Sequence, residues 1–325
     1  MNIVLFGCKD TTLHIARKFK DAGIQVTLVT VDKKVTQKND IAGYLDLTEY
    51  KDLFSEIFLA EDYSLKSKSS LEYFQNKSVK IGFCIGWQRL IPEDILNLFP
   101  LGIYGMHGSS RDLPFGRGRS PMNWSIIEGR SWFFTNLFKY DTGTDNGPIV
   151  DTTCFSISEA DTAETLHYKN TLAMWDLIQK NIEQFNSGKV LTTEQNKGEG
   201  SFYPKRSPGD GLIDWRDDII NIDRLIRAVS PPFYGAFCYL NKKEIRIFRS
   251  SIFYTDIEEH PYKANKFGEI LEVFPNKKFL VRACGGVILV NEYSKEPPLK
   301  PGMVFDINES TLKDFKRNKY GFFDN

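Results

Sequence analysis

The sequence contains no apolar run that approaches the ~20 residues needed to cross a membrane, and it has no internal repeat or low-complexity segment. Residues 2–6 form a short strand-like run directly after the methionine, without the charged and long apolar regions of a signal peptide. Apolar residues make up 41% of the chain and charged residues 26%, as is typical of globular proteins. These features predict a cytoplasmic protein that has no membrane partner.

The sequence also lacks net charge and is poor in cysteine. Its 42 basic and 42 acidic side chains cancel, so it lacks the broad positive surface of proteins that bind nucleic acid through many phosphates. A small anionic ligand needs only a local basic pocket and stays open. The five cysteines are far apart and odd in number, which predicts reduced core residues and no zinc site: Cys8, Cys84, Cys154, Cys238 and Cys284.

Three short β-branched runs open the chain, separated by helical or polar segments. They are NIVLFG (2–7), QVTLVTV (25–31) and VKIGFCIG (79–86). Their alternation with other segments predicts βαβ units in a doubly wound, Rossmann-like, mainly parallel sheet. The first turn, GCKDTT (7–12), is expected at the carboxyl edge of the sheet, where such folds bind ligands. It holds one glycine where a dinucleotide fingerprint has three, so it gives no support for NAD.

The rest of the chain predicts more strands, one long helix and a second domain. Strand-like segments lie at 102–108, 133–141 and 148–158. Asp161 with Glu164 has the capping-box pattern, and Gly188 can end the same helix. After a polar, glycine- and proline-rich stretch, short alternating segments predict a β-rich, OB-like domain. The predicted division is a catalytic domain at 1–191, a linker at 192–206, the β-rich domain at 207–310 and a tail at 311–325.

The candidate chemistry centres on GIYGMHGSSRDLPFGRGRSPMNW (102–124). His107, one of only four histidines, lies near the end of a predicted strand, and Asp145 lies in the turn DTGTDNGPIV between two others. A carboxylate that orients an imidazole and favours its charged form makes an acid–base pair. Two other interpretations stay open at this point: an Asx turn for Asp145 and core packing for His107.

These residues and their order resemble the formyltransferases that use N10-formyltetrahydrofolate, a family that includes methionyl-tRNA formyltransferase, glycinamide ribonucleotide transformylase and the sugar N-formyltransferases. In that family a strand with Asn-x-His-Gly-Ser enters a Leu-Pro-x-x-Arg-Gly loop, and an Asp-x-Gly turn follows. The chain has HGS at 107–109, LPFGRGRSPMNW at 113–124 and DNG at 145–147. Segments 86–100, 161–169, 207–215 and 226–237 extend the resemblance over most of the chain.

The resemblance implies an enzyme in which an amine attacks a formyl carbon without a metal. His107 would stabilise the oxyanion or shuttle a proton, and Asp145 would orient His107 and accept the proton of the amine. Folate contacts are implied for two loops: Trp87, Gln88, Arg89, Leu90, Ile91, Asp141 and Gly143. Candidate substrate contacts are basic, aromatic or glycine residues near the motifs: Lys9, Arg117, Gly118, Arg119, Tyr104 and Trp124. Ordinary packing is the alternative for Trp87 and Leu90, and a solvated position for the basic side chains.

One position departs from the family pattern. Gly105 stands where the family has an asparagine that points its amide at the formyl oxygen, and loss of one such donor typically lowers the rate by ~10²–10³. The loop between Ser109 and Pro114 is also two residues longer than in the family pattern. The hypothesis from the sequence is that Ser109, Ser110, Asn123 or a bound water supplies the missing donor.

The charge balance and the second domain narrow the implied substrate. Zero net charge disfavours initiator tRNA, and the single-domain purine enzyme lacks the C-terminal module. The remaining prediction is a UDP-, dTDP- or GDP-linked amino sugar used in lipopolysaccharide O-antigen synthesis, with N10-formyltetrahydrofolate as co-substrate and a homodimer as the assembly. Three alternatives stay open: a formyltetrahydrofolate hydrolase, a methionyl-tRNA formyltransferase and a catalytically impaired binding homologue.

Overall fold

The computed structural model describes residues 2–39, 41, 43–196, 200–254, 266–294, 298–310, 312, 315 and 323. The chain divides into two compact units, each built from several stretches of sequence. The first unit takes residues 1–118, 132–155 and 168–200, and the second takes 119–131, 156–167 and 201–325. The continuous boundaries at 191 and 206 stay predictions, and most of the predicted tail lies outside the described residues.

The described residues before position 200 form eight strands and seven helices. The strands are β1 (Asn2–Phe6), β2 (Gln25–Val31), β3 (Glu56–Ala60), β4 (Ile81–Cys84), β5 (Gly102–Ser109), β6 (Arg117–Gly118), β7 (Trp132–Lys139) and β8 (Ile149–Ser156). The helices are α1 (Asp10–Asp21), α2 (Lys33–Asn39), α3 (Lys68–Gln75), α4 (Glu93–Leu96), α5 (Pro121–Ile127), α6 (Ala163–Lys180) and α7 (Ile182–Ser187). A 3₁₀ segment spans Leu47–Leu53.

Seven of these strands form the sheet that positions the candidate site. Their order is β3-β2-β1-β4-β5-β7-β8; β3 to β5 are parallel, and β7 runs antiparallel to β5. This arrangement confirms the predicted Rossmann-like, mainly parallel sheet. Buried side chains of β1 and β4 pack on both faces of the sheet, which is why these strands are almost continuously apolar.

The helix predicted from Asp161 to Gly188 is two helices. It breaks at Asn181, whose amide donates to the carbonyl of Leu177 and to the carboxylate of Asp151. The capping box lies one residue later than predicted: α6 begins at Ala163, and the Thr162 and Thr165 hydroxyls each accept from the other's backbone N–H. The Asp161 carboxylate accepts from Ser158 and from the Thr165 hydroxyl. Gly188 does close α7, in the left-handed conformation that favours glycine.

Strand β3 was not predicted from the sequence. It is a short edge strand with mostly half-exposed residues, EIFLA, and it pairs only with β2. Such a strand lacks the continuous apolar run of the buried strands beside it.

The prediction of buried cysteines is also wrong in part, because Cys154 on β8 is exposed and Cys284 is half-buried.

The second unit contains an antiparallel sheet around its own apolar core. Its elements are β9 (Phe202–Tyr203), a 3₁₀ segment (Pro208–Gly211), α8 (Ile219–Val229), β10 (Ala236–Leu240), β11 (Lys243–Phe253), β12 (Ile270–Val273), β13 (Phe279–Ala283) and β14 (Gly286–Tyr293). The sheet order is β10-β11-β14-β13-β12. Trp215, Ile226 and Phe279 are fully buried in the core, which confirms the predicted β-rich second domain. In the described part of the chain, no helix is long and apolar enough to cross a membrane.

Candidate active site

Strand β5 presents different side chains to the two faces of the sheet. Tyr104 belongs to the core that includes Phe185, whereas Ile103 belongs to the core on the opposite face. Because side chains alternate along a strand, Gly105 and His107 share the face of Ile103. The local sequence thus places His107 beyond the apolar layer, near the carboxyl end of β5.

His107 is held by an oxygen at each ring nitrogen. Its Nε2 lies 2.7 Å from the carbonyl oxygen of Gly116, and its Nδ1 lies 3.3 Å from Oδ2 of Asp145. The His107 and Asp145 side chains are only 9% and 20% exposed. Each ring nitrogen of His107 therefore faces an oxygen that can accept a hydrogen bond. The predicted pairing of these two side chains is present in the structure.

The turn that carries Asp145 has a constrained backbone. Asp145 has a φ of 50°, and its carboxylate accepts a hydrogen bond from the backbone N–H of Gly118 at 3.3 Å. A β-carbon on Gly147 would lie 1.8 Å from the Lys139 carbonyl oxygen, so only glycine fits there. The turn therefore fixes where the carboxylate sits relative to His107.

Gln195 clamps this turn, although sequence reasoning gave no signal for it. Its Nε2 donates to the carbonyl oxygens of Asp145 at 2.9 Å and Gly147 at 2.7 Å. Its Oε1 accepts from the Arg117 guanidinium at 2.6 Å. Burial lowers the pKa of Arg117, and the nearby carboxylates of Asp145 and Asp141 oppose that shift. Gln195 is 6% exposed, so each contact is made largely out of water.

Gln195→Glu is expected to lower kcat while leaving the Arg117 contact in place. A carboxylate still accepts from Arg117 but cannot donate to the two carbonyl oxygens, so the turn loses its clamp and Asp145 moves relative to His107. Hydrogen bonds of this kind contribute ~1 kcal/mol each, which predicts a fall in kcat on the order of tenfold to a hundredfold. Steady-state kinetics across a pH series tests this, with Gln184→Glu on α7 as the control. An unchanged pH profile would contradict a role in positioning Asp145.

Asn136 is the second residue that the sequence did not reveal. It lies opposite His107 on β7 and is fully buried. Its amide donates to the His107 carbonyl oxygen at 3.2 Å, and its oxygen accepts from the Thr152 hydroxyl at 3.0 Å and the Leu113 N–H at 3.4 Å. Asn136 therefore ties the histidine strand to the start of the following loop.

The chain matches known family profiles and solved structures. The profile described as "Formyl transferase" matches residues 1–174, and the profile "Formyl transferase, C-terminal domain" matches residues 205–300. The chain belongs to the formyltransferase family.

Solved structures share the fold of this formyltransferase at low identity. HypX from Aquifex aeolicus is 16% identical with a TM-score of 0.66; the match covers 91% of this chain and 46% of HypX, so the chain spans about half of that protein. WlaRD, a sugar 3N-formyl transferase solved with dTDP and 5-N-formyl-THF, is 18% identical with a TM-score of 0.62, covering 91% of this chain and 99% of that one. The N-formyltransferase from Helicobacter canadensis, solved with folinic acid and dTDP-3-aminofucose, is 19% identical with a TM-score of 0.62. The match covers 89% of this chain and 98% of that one.

The loop predicted to contact folate divides into buried and exposed side chains. Trp87 and Ile91 belong to the core beside β4, whereas Gln88, Arg89 and Leu90 are exposed. The backbone N–H of Gln88 donates to the Tyr63 hydroxyl at 2.7 Å, which holds the loop against the core. The Trp87 side chain therefore packs in the core, whereas the Leu90 side chain does not. In the other predicted loop, Asp141 accepts from the N–H of Gly143 at 2.7 Å.

The structure buries some of the predicted substrate contacts in the core and leaves others at least half-exposed. Tyr104 is 2% exposed and its hydroxyl donates to the Leu101 carbonyl, so it is a core residue and not an available contact. Trp124 is 1% exposed and its indole donates to Pro204, which corrects the prediction for the same reason. Lys9, Arg117 and Gly118 are half-exposed, and Arg119 is exposed.

Two of the proposed replacement donors already have backbone partners. The Ser109 hydroxyl donates to the Phe115 carbonyl at 3.1 Å, and the Asn123 amide donates to the Ala228 carbonyl at 2.6 Å. Ser110 is buried at 7% exposure. Gly105, the departure from the family pattern, lies on the His107 face of β5 with its partner Phe138 on β7.

Proposed function

We propose that this formyltransferase moves the formyl group of N10-formyltetrahydrofolate to the amine of a nucleotide-linked amino sugar, in the synthesis of bacterial surface polysaccharide. The observation that carries the proposal is the His107–Asp145 pair, in which Nδ1 of His107, near the carboxyl end of β5, lies 3.3 Å from Oδ2 of Asp145. Formyl transfer to an amine requires a group that removes a proton from the attacking nitrogen, and this pair supplies one. The ligands of WlaRD and of the Helicobacter protein support the dTDP-sugar class.

The residues near the pair suit a folate. The indole Nε1 of Trp87 is buried and has no hydrogen-bond partner within the described part of the chain, so a polar group of a ligand can satisfy it. The exposed loop at 88–90 offers backbone groups beside it. A bound folate would supply the formyl group, and the loops at 87–91 and 141–145 would hold it. The half-exposed Arg117 then provides a cation for a phosphate or carboxylate.

The protein's own contribution to the chemistry follows from the geometry. The Gly116 carbonyl holds Nε2 of His107, which leaves the Nδ1–Oδ2 contact as the place where a proton is exchanged. Asp145 keeps the ring in this orientation and stabilises its positive charge. Since the pair is mostly buried, water competes little for the proton.

Mass spectrometry of amino-sugar nucleotides tests the proposal. A panel of UDP-, dTDP- and GDP-linked amino sugars is incubated with enzyme and N10-formyltetrahydrofolate, with initiator tRNA as an additional acceptor. The expected result is a mass gain of one formyl group on one class of sugar. Formate release without any formylated sugar would favour the hydrolase, formylated tRNA would favour the tRNA enzyme, and ligand binding without turnover would favour an impaired homologue.

A further inference from the structure

Tyr140 occupies the space that a side chain at position 105 would need. A β-carbon built on Gly105 would lie 1.8 Å from Cε1 of Tyr140, 2.5 Å from its Cζ and 2.7 Å from its hydroxyl oxygen. No real β-carbon tolerates such distances. The Tyr140 ring can therefore occupy this position because residue 105 has no side chain.

The register between β5 and β7 delivers this ring. Tyr140 follows the last residue of β7, and its N–H donates to the Ile103 carbonyl at 2.7 Å, which continues the antiparallel pairing. Gly105 pairs with Phe138, so Tyr140 is its diagonal neighbour, within the reach of an aromatic side chain. The Tyr140 ring stacks on Phe138 with centroids 5.3 Å apart and an interplanar angle of 25°.

The Tyr140 hydroxyl lies in a polar cluster that includes a catalytic candidate. It lies beside the Cys84 thiol and close enough to the Asp145 carboxylate for an electrostatic interaction. Burial, with these two neighbours, raises the pKa of Tyr140 well above its ordinary value. The phenol consequently keeps its proton at neutral pH and can donate it in a hydrogen bond.

Several candidate donors already have protein partners. Both ring nitrogens of His107 already face protein oxygens, and the Ser109 hydroxyl and the Asn123 amide are bound to backbone carbonyls. Along β5, position 105 lies two residues from His107 on the same face, roughly 7 Å away. A phenol above Gly105 is therefore placed to act on a group that His107 and Asp145 also serve.

We propose that the Tyr140 hydroxyl donates the hydrogen bond to the formyl oxygen, taking the place of the amide absent at Gly105. This inference rests on the proposed function. The acceptor nitrogen forms a bond to the formyl carbon, and the electron pair of the C=O bond moves onto the oxygen, where the Tyr140 O–H stabilises it. The nitrogen gives its proton to the His107–Asp145 pair. When the C=O bond reforms, the bond to the donor nitrogen breaks, and that nitrogen leaves with the electron pair and takes the proton from the His107–Asp145 pair, which returns the pair to its starting state.

Tyr140→Phe removes only the hydroxyl and keeps the ring above Gly105. We expect kcat to fall by ~10²–10³, as for loss of one oxyanion donor, with KM for the folate changed little. Tyr73→Phe is the matched control, because it also removes a tyrosine hydroxyl that is hydrogen-bonded, to Glu56 at 3.0 Å. Thermal unfolding of each variant shows whether the fold is retained. Full activity in Tyr140→Phe would overturn the proposal.

A vibrational measurement tests the same hydrogen bond without turnover. The probe is 10-formyl-5,8-dideazafolate, a stable folate analogue, labelled with ¹³C at the formyl carbon. Its C=O stretch is expected at lower frequency on the native enzyme than on Tyr140→Phe, because a donor weakens the carbonyl bond. An unchanged stretch beside a reduced kcat would mean that Tyr140 acts through packing, which also overturns the proposal. A shifted stretch on a native enzyme that formylates no amine would contradict the proposed function alone.

Discussion

Asp145→Asn is expected to lower kcat by ~10²–10⁴ and to leave the fold intact. The two side chains have the same shape, and asparagine accepts the left-handed conformation that Asp145 adopts at a φ of 50°. The asparagine oxygen can still accept from the Gly118 N–H, so the turn keeps that contact. What disappears is the carboxylate 3.3 Å from Nδ1 of His107, and with it the group that we propose receives the proton.

Steady-state kinetics and thermal unfolding together check this expectation. Asp176→Asn is the control, because Asp176 lies on the exposed side of α6, paired with Lys180, and its loss removes the same charge from the surface. His107→Asn is expected to be as damaging as Asp145→Asn, and the double variant no worse than either single one, since the two residues act as a unit. Additive losses in the double variant would contradict a shared proton-transfer role.

Gly105→Asn is expected to damage the enzyme, although it restores the residue of the family pattern. From the sequence alone, this change tests for a missing donor, and a large rise in turnover is the result that would reveal one. The structure reverses the expectation, because the new β-carbon would lie 1.8 Å from the Tyr140 ring. Overpacking of this kind costs ~1–3 kcal/mol, and it displaces the hydroxyl that we assign to the formyl oxygen. We therefore expect lower stability together with a fall in kcat of ~10²-fold or more.

A second substitution tests whether the clash with Tyr140 causes the loss. Gly105→Asn combined with Tyr140→Ala removes the ring and should regain both stability and turnover relative to Gly105→Asn alone. Gly209→Ala is the control for adding a side chain to a glycine, since its new methyl group finds only an ordinary contact of 3.6 Å with Ser207. A Gly105→Asn enzyme that is faster than the native one would show that Tyr140 is not an adequate donor.

The proximity of His107 and Asp145 was predictable because both residues lie in short local patterns. A histidine between glycines at the end of an apolar strand indicates a position at the edge of a sheet. An aspartate in a glycine-rich turn indicates the same. Their order along the chain carried the resemblance to the family. Tyr104 and Trp124 show the limit of this reasoning, because an aromatic residue near a motif has the same local sequence whether it faces a ligand or the core.

The sequence by itself determined the mainly parallel sheet, the β-rich second unit, the family and the pairing of His107 with Asp145. Only the tertiary structure decided that Gln195, 50 residues after Asp145, clamps the aspartate turn and that Tyr140 fills the space above Gly105. Both contacts join residues far apart in the chain, and the register of β5 on β7 or the path of a loop creates them. Local periodicity carries no information on register. The reason for a glycine at position 105 is therefore visible only in the tertiary structure, where the Tyr140 ring fills the space that a side chain would need.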